Sequence, residues 1–208
     1  MKRSELARQQ IVDAAISLFN TKGYNGTTVR DISAKANVNV ATISYYFNGK
    51  NGLLEHCFIT FFENYLKELE EACVALEQLG ANECLKKAIK QIMNYQYEHL
   101  ALSRFVWREV SIDTQMIREI MSTYLMKERY LLKSIFDYGI REKTFRPIPT
   151  SISVIQLKSM MTMPFLNAHY HSEVWNVYLQ DTYYFERYTE HICDWVDNYL
   201  MDKNNQKK

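Results

Sequence analysis

The chain has 208 residues, 47% of them hydrophobic and 24% charged, with only six glycines and three prolines. This composition can bury a core and excludes collagen-like, low-complexity and wholly disordered classes; so few helix breakers also argue against a many-turned β-sandwich. The net charge of +1 excludes no partner, and no apolar run approaches the roughly 18–20 residues that cross a bilayer.

Charge placement is more telling than its sum. Residues 1–50 carry seven basic side chains (Lys2, Arg3, Arg8, Lys22, Arg30, Lys35, Lys50) against three acids (Glu5, Asp13, Asp31), a balance of +4 that leaves −3 for the rest. A basic binding module on a near-neutral body gives this pattern, and so does chance drift in short segments. The four cysteines, Cys57, Cys73, Cys84 and Cys193, form no Cys-x-x-Cys pair, and no hydrophobic h-region follows the basic start. Both features predict reduced thiols and a cytoplasmic chain.

Ile11, Ala14, Ala15, Leu18 and Phe19 recur with the period of an amphipathic helix, which Gly23 stops. Thr28 is placed to cap a short second helix over 28–35, with Asp31 three residues on as in a capping box. Asn37-Val38-Asn39 interrupts it: Asn37 tolerates the left-handed conformation of a tight turn, Val38 plugs it and Asn39 caps the next helix. This third helix, Val40 to Phe47, turns Ile43 and Phe47 one way and Ala41 and Tyr45 the other, with Thr42 and Ser44 beside them. A long helix is expected from Leu53 to about Gln78, ended by Gly80. Further helices are expected over 82–99, 101–110 and 114–141, the last stopping near Gly139. After the Pro147–Pro149 loop come helices over 151–163 and 181–201, with a break at Pro164 and His169–Ser172.

Two short helices across a tight turn, the second with an outward face of small, hydroxyl and aromatic residues, form a helix-turn-helix pattern. The third helix is a rod of about 10 Å, comparable to the depth of the major groove. It carries no acid that phosphates would repel, and Lys50 comes directly after it, where a cation can meet the backbone. The candidate DNA contacts are Thr27, Thr28, Val40, Ala41, Thr42, Ser44, Tyr45, Tyr46 and Lys50.

The run Gly26-Thr27-Thr28-Val29-Arg30-Asp31-Ile32-Ser33-Ala34-Lys35-Ala36-Asn37-Val38, then Thr42-Ile43-Ser44-Tyr45-Tyr46-Phe47, Lys50 and Leu53, resembles the TetR family of transcriptional regulators. It departs from that family at Asn37, where Gly is usual, and at Ser44, where an aromatic is common. The resemblance implies an all-α fold with a helix-turn-helix domain at 1–50 and a helical regulatory and dimerisation domain at 51–202; the polar residues 203–208 are expected to be a disordered tail. It further implies a homodimer on a palindromic operator in double-stranded DNA, with Thr28 meeting a phosphate. The helices 151–163 and 181–201 would pair between subunits. Asn39-Val40-Ala41 with Ile43-Ser44-Tyr45-Tyr46-Phe47, and Arg108-Glu109-Val110 with the run Ile117 to Glu128, resemble a narrower subgroup from sporulating bacilli, which binds chromosomal motifs and restrains the division protein FtsZ. That implies a nucleoid-associated protein with FtsZ as a partner.

Other features admit a bland reading. His169-x-His171 lacks neighbouring ligands at metal spacing, so no metal and no cofactor is expected. The Met- and aromatic-rich stretches 92–136 and 155–166 suit core packing or a small-molecule effector pocket, the latter making the chain a ligand-responsive repressor. Arg104, Arg108, Glu109, Arg118 and Glu119, beside Trp107 and Tyr124, suit either an internally paired face or a protein-facing surface. The chain has no Gly-x-Ser-x-Gly, phosphate-binding Gly loop or His-Glu-x-x-His, which argues against an enzyme. A helical protein-binding module without DNA affinity is the third class.

Overall fold

The computed structural model describes residues 3–112 and 114–202, and the expected tail at 203–208 lies outside the described residues. Among the described residues ten α-helices succeed one another: α1 (Arg3–Lys22), α2 (Val29–Ala36), α3 (Val40–Phe47), α4 (Lys50–Val74), α5 (Leu76–Glu98), α6 (Leu100–Ile112), α7 (Gln115–Arg141), α8 (Thr150–Leu166), α9 (Ala168–Trp175) and α10 (Thr182–Trp195). A π-turn over Val196–Leu200 continues α10. Among the described residues no strand forms, only a lone bridge between Phe145 and Met201. The all-α class is as expected.

The chain divides into two compact units, one formed by residues through Phe62 with Leu100–Ile120, the other by Glu63–His99 with the residues from Met121 onward. The first of these units extends past residue 50 and takes in α6. α6 returns to pack on α1: Phe105 stacks on Phe19 at 4.9 Å, Asn20 donates to the Ala101 carbonyl at 2.8 Å, and Arg108 donates to the Phe19 carbonyl at 2.5 Å. Such contacts join residues more than 80 positions apart, and local periodicity cannot show them. The centre of this first unit is aromatic, with Trp107 meeting Phe61 and Phe62 edge-on at 5.5 and 5.7 Å.

In the second unit the breaks fall elsewhere than the breakers suggest. α4 ends at Val74 and α5 starts at Leu76, while Gly80 sits inside α5 at φ 75°, a kink rather than an end. Only glycine takes that conformation without cost. α7 runs past Gly139 to Arg141 because the glycine serves packing: a Cβ there would lie 2.4 Å from the Phe145 ring and 2.8 Å from Ala81. Pro164 lies inside α8 instead of ending it. A proline has no N–H for the carbonyl four residues back, and here the Tyr188 hydroxyl supplies that donor, reaching the Met160 carbonyl at 2.8 Å. The His169–Ser172 stretch is helical as α9; the break falls at Asn167. Met93, Met121, Met161 and Phe136 are core residues.

Candidate nucleic-acid interface

The first unit is assembled by caps. Thr28 accepts from the Asp31 N–H at 3.1 Å, and the Asp31 carboxylate accepts from the Thr28 N–H at 2.8 Å, so both orphan donors of α2 are satisfied. The Thr28 hydroxyl and Lys22, whose ammonium lies 3.0 Å away, bind the same carboxylate. Hydrogen bonds from Thr28 first, and then Lys22, hold the Asp31 pKa well below the usual carboxylate range.

Asn37 closes α2 in the left-handed conformation at φ 53°, and Asn39 caps α3 by accepting from the Ala41 N–H at 2.9 Å. A second left-handed asparagine, Asn48 at φ 54°, ends α3. α3 is thus eight residues, about 12 Å long, delimited at both ends by side chains or turns that the sequence itself encodes. Ile43 and Phe47 are its buried anchors. Arg8 lies 5.3 Å above the Phe47 ring and 3.3 Å from His56, which fastens α1 and α4 behind α3.

The expected contact residues divide into two groups. Val40, Ala41, Ser44 and Tyr45 are exposed, Tyr45 at 82%, with Thr42 and Tyr46 half-buried at the edges of that face. Tyr46 meets Tyr45 edge-on at 5.0 Å and so sets its direction. Thr28 is exposed at the start of α2. Thr27 is not: it is 1% exposed and its hydroxyl donates to the Gly23 carbonyl at 2.8 Å, a turn-closing role. Lys50 also departs from expectation. Its ammonium donates to the Tyr24 and Thr27 carbonyls at 3.1 and 3.0 Å and lies 4.3 Å above the Tyr24 ring. It binds the loop before α2 rather than standing out alone as a phosphate contact.

Arg30, absent from the expected set, is exposed in the first turn of α2, and its guanidinium has no partner among the described residues. The basic excess of residues 1–50 was the available signal. Next to α3 an open groove of about 1010 Å³ is lined by Tyr45, Asn48, Asn51, Glu55, His56 and Glu119. Arg8 lines it as well, beside the carboxylates of Glu55 and Glu119; the exposed edge of α3 and the start of α2 form the candidate DNA-facing side.

The charged stretch on α6 and α7 also splits. Arg108 donates to the Phe19 and Asn20 carbonyls at the end of α1, and Glu109, 8% exposed, lies 3.6 Å from it. Burial raises the Glu109 pKa, and Arg108 opposes the shift. Trp107 is buried as well. Trp107 and Glu109 are internal and the half-buried Arg108 is paired with the end of α1, which favours the internally paired reading for Arg108 and Glu109; Arg104, Arg118 and Glu119 are exposed. No group of three or more His, Cys, Asp or Glu at metal-holding distance occurs among the described residues, and His171 and Tyr170 pack against each other at 5.9 Å. Nor is any helix among them long and apolar enough to cross a membrane.

A short capped helix presented across a left-handed turn defines a helix-turn-helix DNA-binding protein. Residues 11–57 match the bacterial regulatory proteins of the tetR family. The "Probable HTH-type transcriptional regulator YttP" of Bacillus subtilis (strain 168) is 43% identical over 189 residues, covering 91% of each chain. Among solved structures, the TetR family transcriptional regulator PfmR from Thermus thermophilus superposes with a TM-score of 0.72 at 16% identity, over 88% of this chain and 97% of that one. HlyIIR, a hemolysin II transcriptional regulator, gives 0.67 at 21% identity, over 96% and 99%. The chain belongs to the tetR family and is a transcriptional regulator of that type.

Proposed function

We propose that the chain is a homodimer binding a palindromic chromosomal motif, reading bases with Ala41, Thr42, Ser44, Tyr45 and Tyr46 and phosphates with Thr28 and Arg30. The observation carrying this reading is the outward, acid-free face of α3, capped at Asn39 and ended at Asn48. Val40 flanks it, while Thr27 and Lys50 act by bracing the loop in front of α2. Dimerisation is supported by apolar side chains left exposed on α8: Ile152 (53%), Ile155 (66%), Met163 and Leu166. A helix that is apolar on two sides needs a second partner. Two reading helices then sit about 34–36 Å apart, or multiples of that, and impose the same spacing on the half-sites.

The second layer of the proposal is the narrower resemblance to the RefZ-like subgroup: a cytoplasmic, nucleoid-associated dimer whose DNA-bound form acts on FtsZ and so regulates cell division. Arg104, Arg118 and Glu119 are exposed on α6 and α7, and the proposal places that contact there. Selection of bound fragments from a genomic library, followed by FtsZ assembly assays with the DNA-loaded protein, tests both layers. Motifs scattered over the chromosome and altered FtsZ assembly support the reading; indifference to every duplex at low salt ends its first layer, and unchanged FtsZ assembly its second.

A ligand-responsive repressor is the alternative. It is favoured by a cleft of about 300 Å³ in the second unit, lined by the apolar Leu125, Leu132, Val154 and Ile155 between α7 and α8. A small molecule that releases the operator without FtsZ present would select it.

A further inference from the structure

The cleft between α7 and α8 combines apolar walls with an unequal set of charges. Leu125, Leu132, Val154 and Ile155 enclose about 300 Å³, the small end of the range for ligand pockets. Leu125 and Ile155 keep 44% and 66% exposure, apolar surface that a bound hydrocarbon would take from water. Glu128 also lines the cleft and is 7% exposed. Its Oε1 accepts from the Tyr65 hydroxyl and the Lys158 ammonium, both at 2.6 Å, so one cation already matches its charge. A cationic ligand would have to compete with Lys158 for that carboxylate. The two remaining charges of the lining are Arg129 and Lys133. Lys133 is paired with Asp137, whereas the exposed Arg129 makes no hydrogen bond or ion pair among the described residues. With both pairs counted as neutral, the lining keeps one unmatched charge, the Arg129 guanidinium. The first turn of α8 brings Thr150 and Ser151 to the cleft and has no side-chain cap, which adds to the same sign.

We propose that this cleft binds a small amphiphilic carboxylate, with the acid group on Arg129 and the hydrocarbon against Leu125, Leu132, Val154 and Ile155. A guanidinium presents two parallel N–H donors to a carboxylate, a fit that an alcohol or an amine lacks. The Glu128–Lys158 pair, held by Tyr65, adds no net charge to oppose the acid. Ile155 belongs both to the cleft and to the α8 face proposed to pair between subunits, so an occupant touches the helix whose pairing sets the half-site spacing. For this effect on DNA the inference rests on the ligand-responsive reading above; for the ligand's chemical class it rests on the cleft alone.

The test titrates the full chain, by calorimetry at neutral pH and low salt, with three probes that share one tail: octanoate, 1-octanol and octylammonium. Octanoate is expected to bind about threefold tighter than octanol, as an exposed ion pair allows, and octylammonium weakest. Arg129→Gln brings octanoate to the level of octanol. Leu125→Asp weakens octanoate and octanol about fivefold or more by removing apolar wall. Both positions are exposed, so both variants keep the wild-type helical signal. Octylammonium binding as tightly as octanoate, an Arg129→Gln protein that retains the octanoate preference, or no heat from octanoate at millimolar concentration would each overturn the proposal. Operator titration with octanoate present separates the site from the reading it deepens. Binding with unchanged operator affinity supports the site and ends the ligand-responsive reading, whereas operator release that persists undiminished in Arg129→Gln overturns the site.

Discussion

Replacing Lys50 by Met separates two roles for one ammonium group. The structure gives it two carbonyl acceptors, on Tyr24 and Thr27, at 3.1 and 3.0 Å, and the Tyr24 ring at 4.3 Å. Hydrogen bonds from a charged donor are worth about 1.5–3 kcal/mol each net, and a partly exposed cation–π contact about 0.5–1 kcal/mol. Lys50 is only half-buried, so the low end of each applies. Against this, a cation in the first turn of α4 opposes the helix dipole by about 0.3–1 kcal/mol, which Met relieves. The net expectation is a loss of about 2.5–3 kcal/mol, with the salt slope of DNA binding almost unchanged. Urea unfolding followed by helical signal reads the first quantity, and operator titration across salt concentrations reads the second. An unchanged urea midpoint together with a salt slope reduced by about one would refute the reasoning, because that pair of results belongs to a cation facing phosphate.

Three further outcomes are expected from the same geometry. Tyr45→Ala should leave stability within about 0.5 kcal/mol, since the ring is outward, yet reduce the preference for operator over random duplex about tenfold or more; competition binding checks this, and undiminished discrimination counts against the α3 face. Asp31 has a folded pKa below its unfolded value, so its contribution is complete above the unfolded carboxylate range and fades as pH falls through it. The stability difference between wild type and Asp31→Asn should therefore shrink on acidification from about pH 6 to about pH 2, and a difference that grows would be inconsistent with the capping geometry. Glu128 accepts from Tyr65 and Lys158, both at 2.6 Å, in a pocket where it is 7% exposed. Glu128→Ala should cost about 3–5 kcal/mol, whereas exchanging the three residues together for apolar ones of similar volume should cost far less; paired denaturation curves distinguish the two.

The sequence alone determined the reading head because everything that shapes it is local. Thr28 and Asp31 cap across one turn, Asn37 and Asn39 bracket the bend, and a period of 3.6 residues turns Tyr45 away from Ile43 whatever surrounds them. The helical class came in the same way from sparse breakers. Only the tertiary structure decided the outcomes set by a partner far along the chain. Pro164 continues a helix because Tyr188 returns a donor, Lys50 turns to carbonyls of the loop before α2, and Arg108 with Glu109 is internally paired because α6 folds against the end of α1. A polar group takes whichever partner the fold brings within about 3 Å, and only tertiary contacts set that distance.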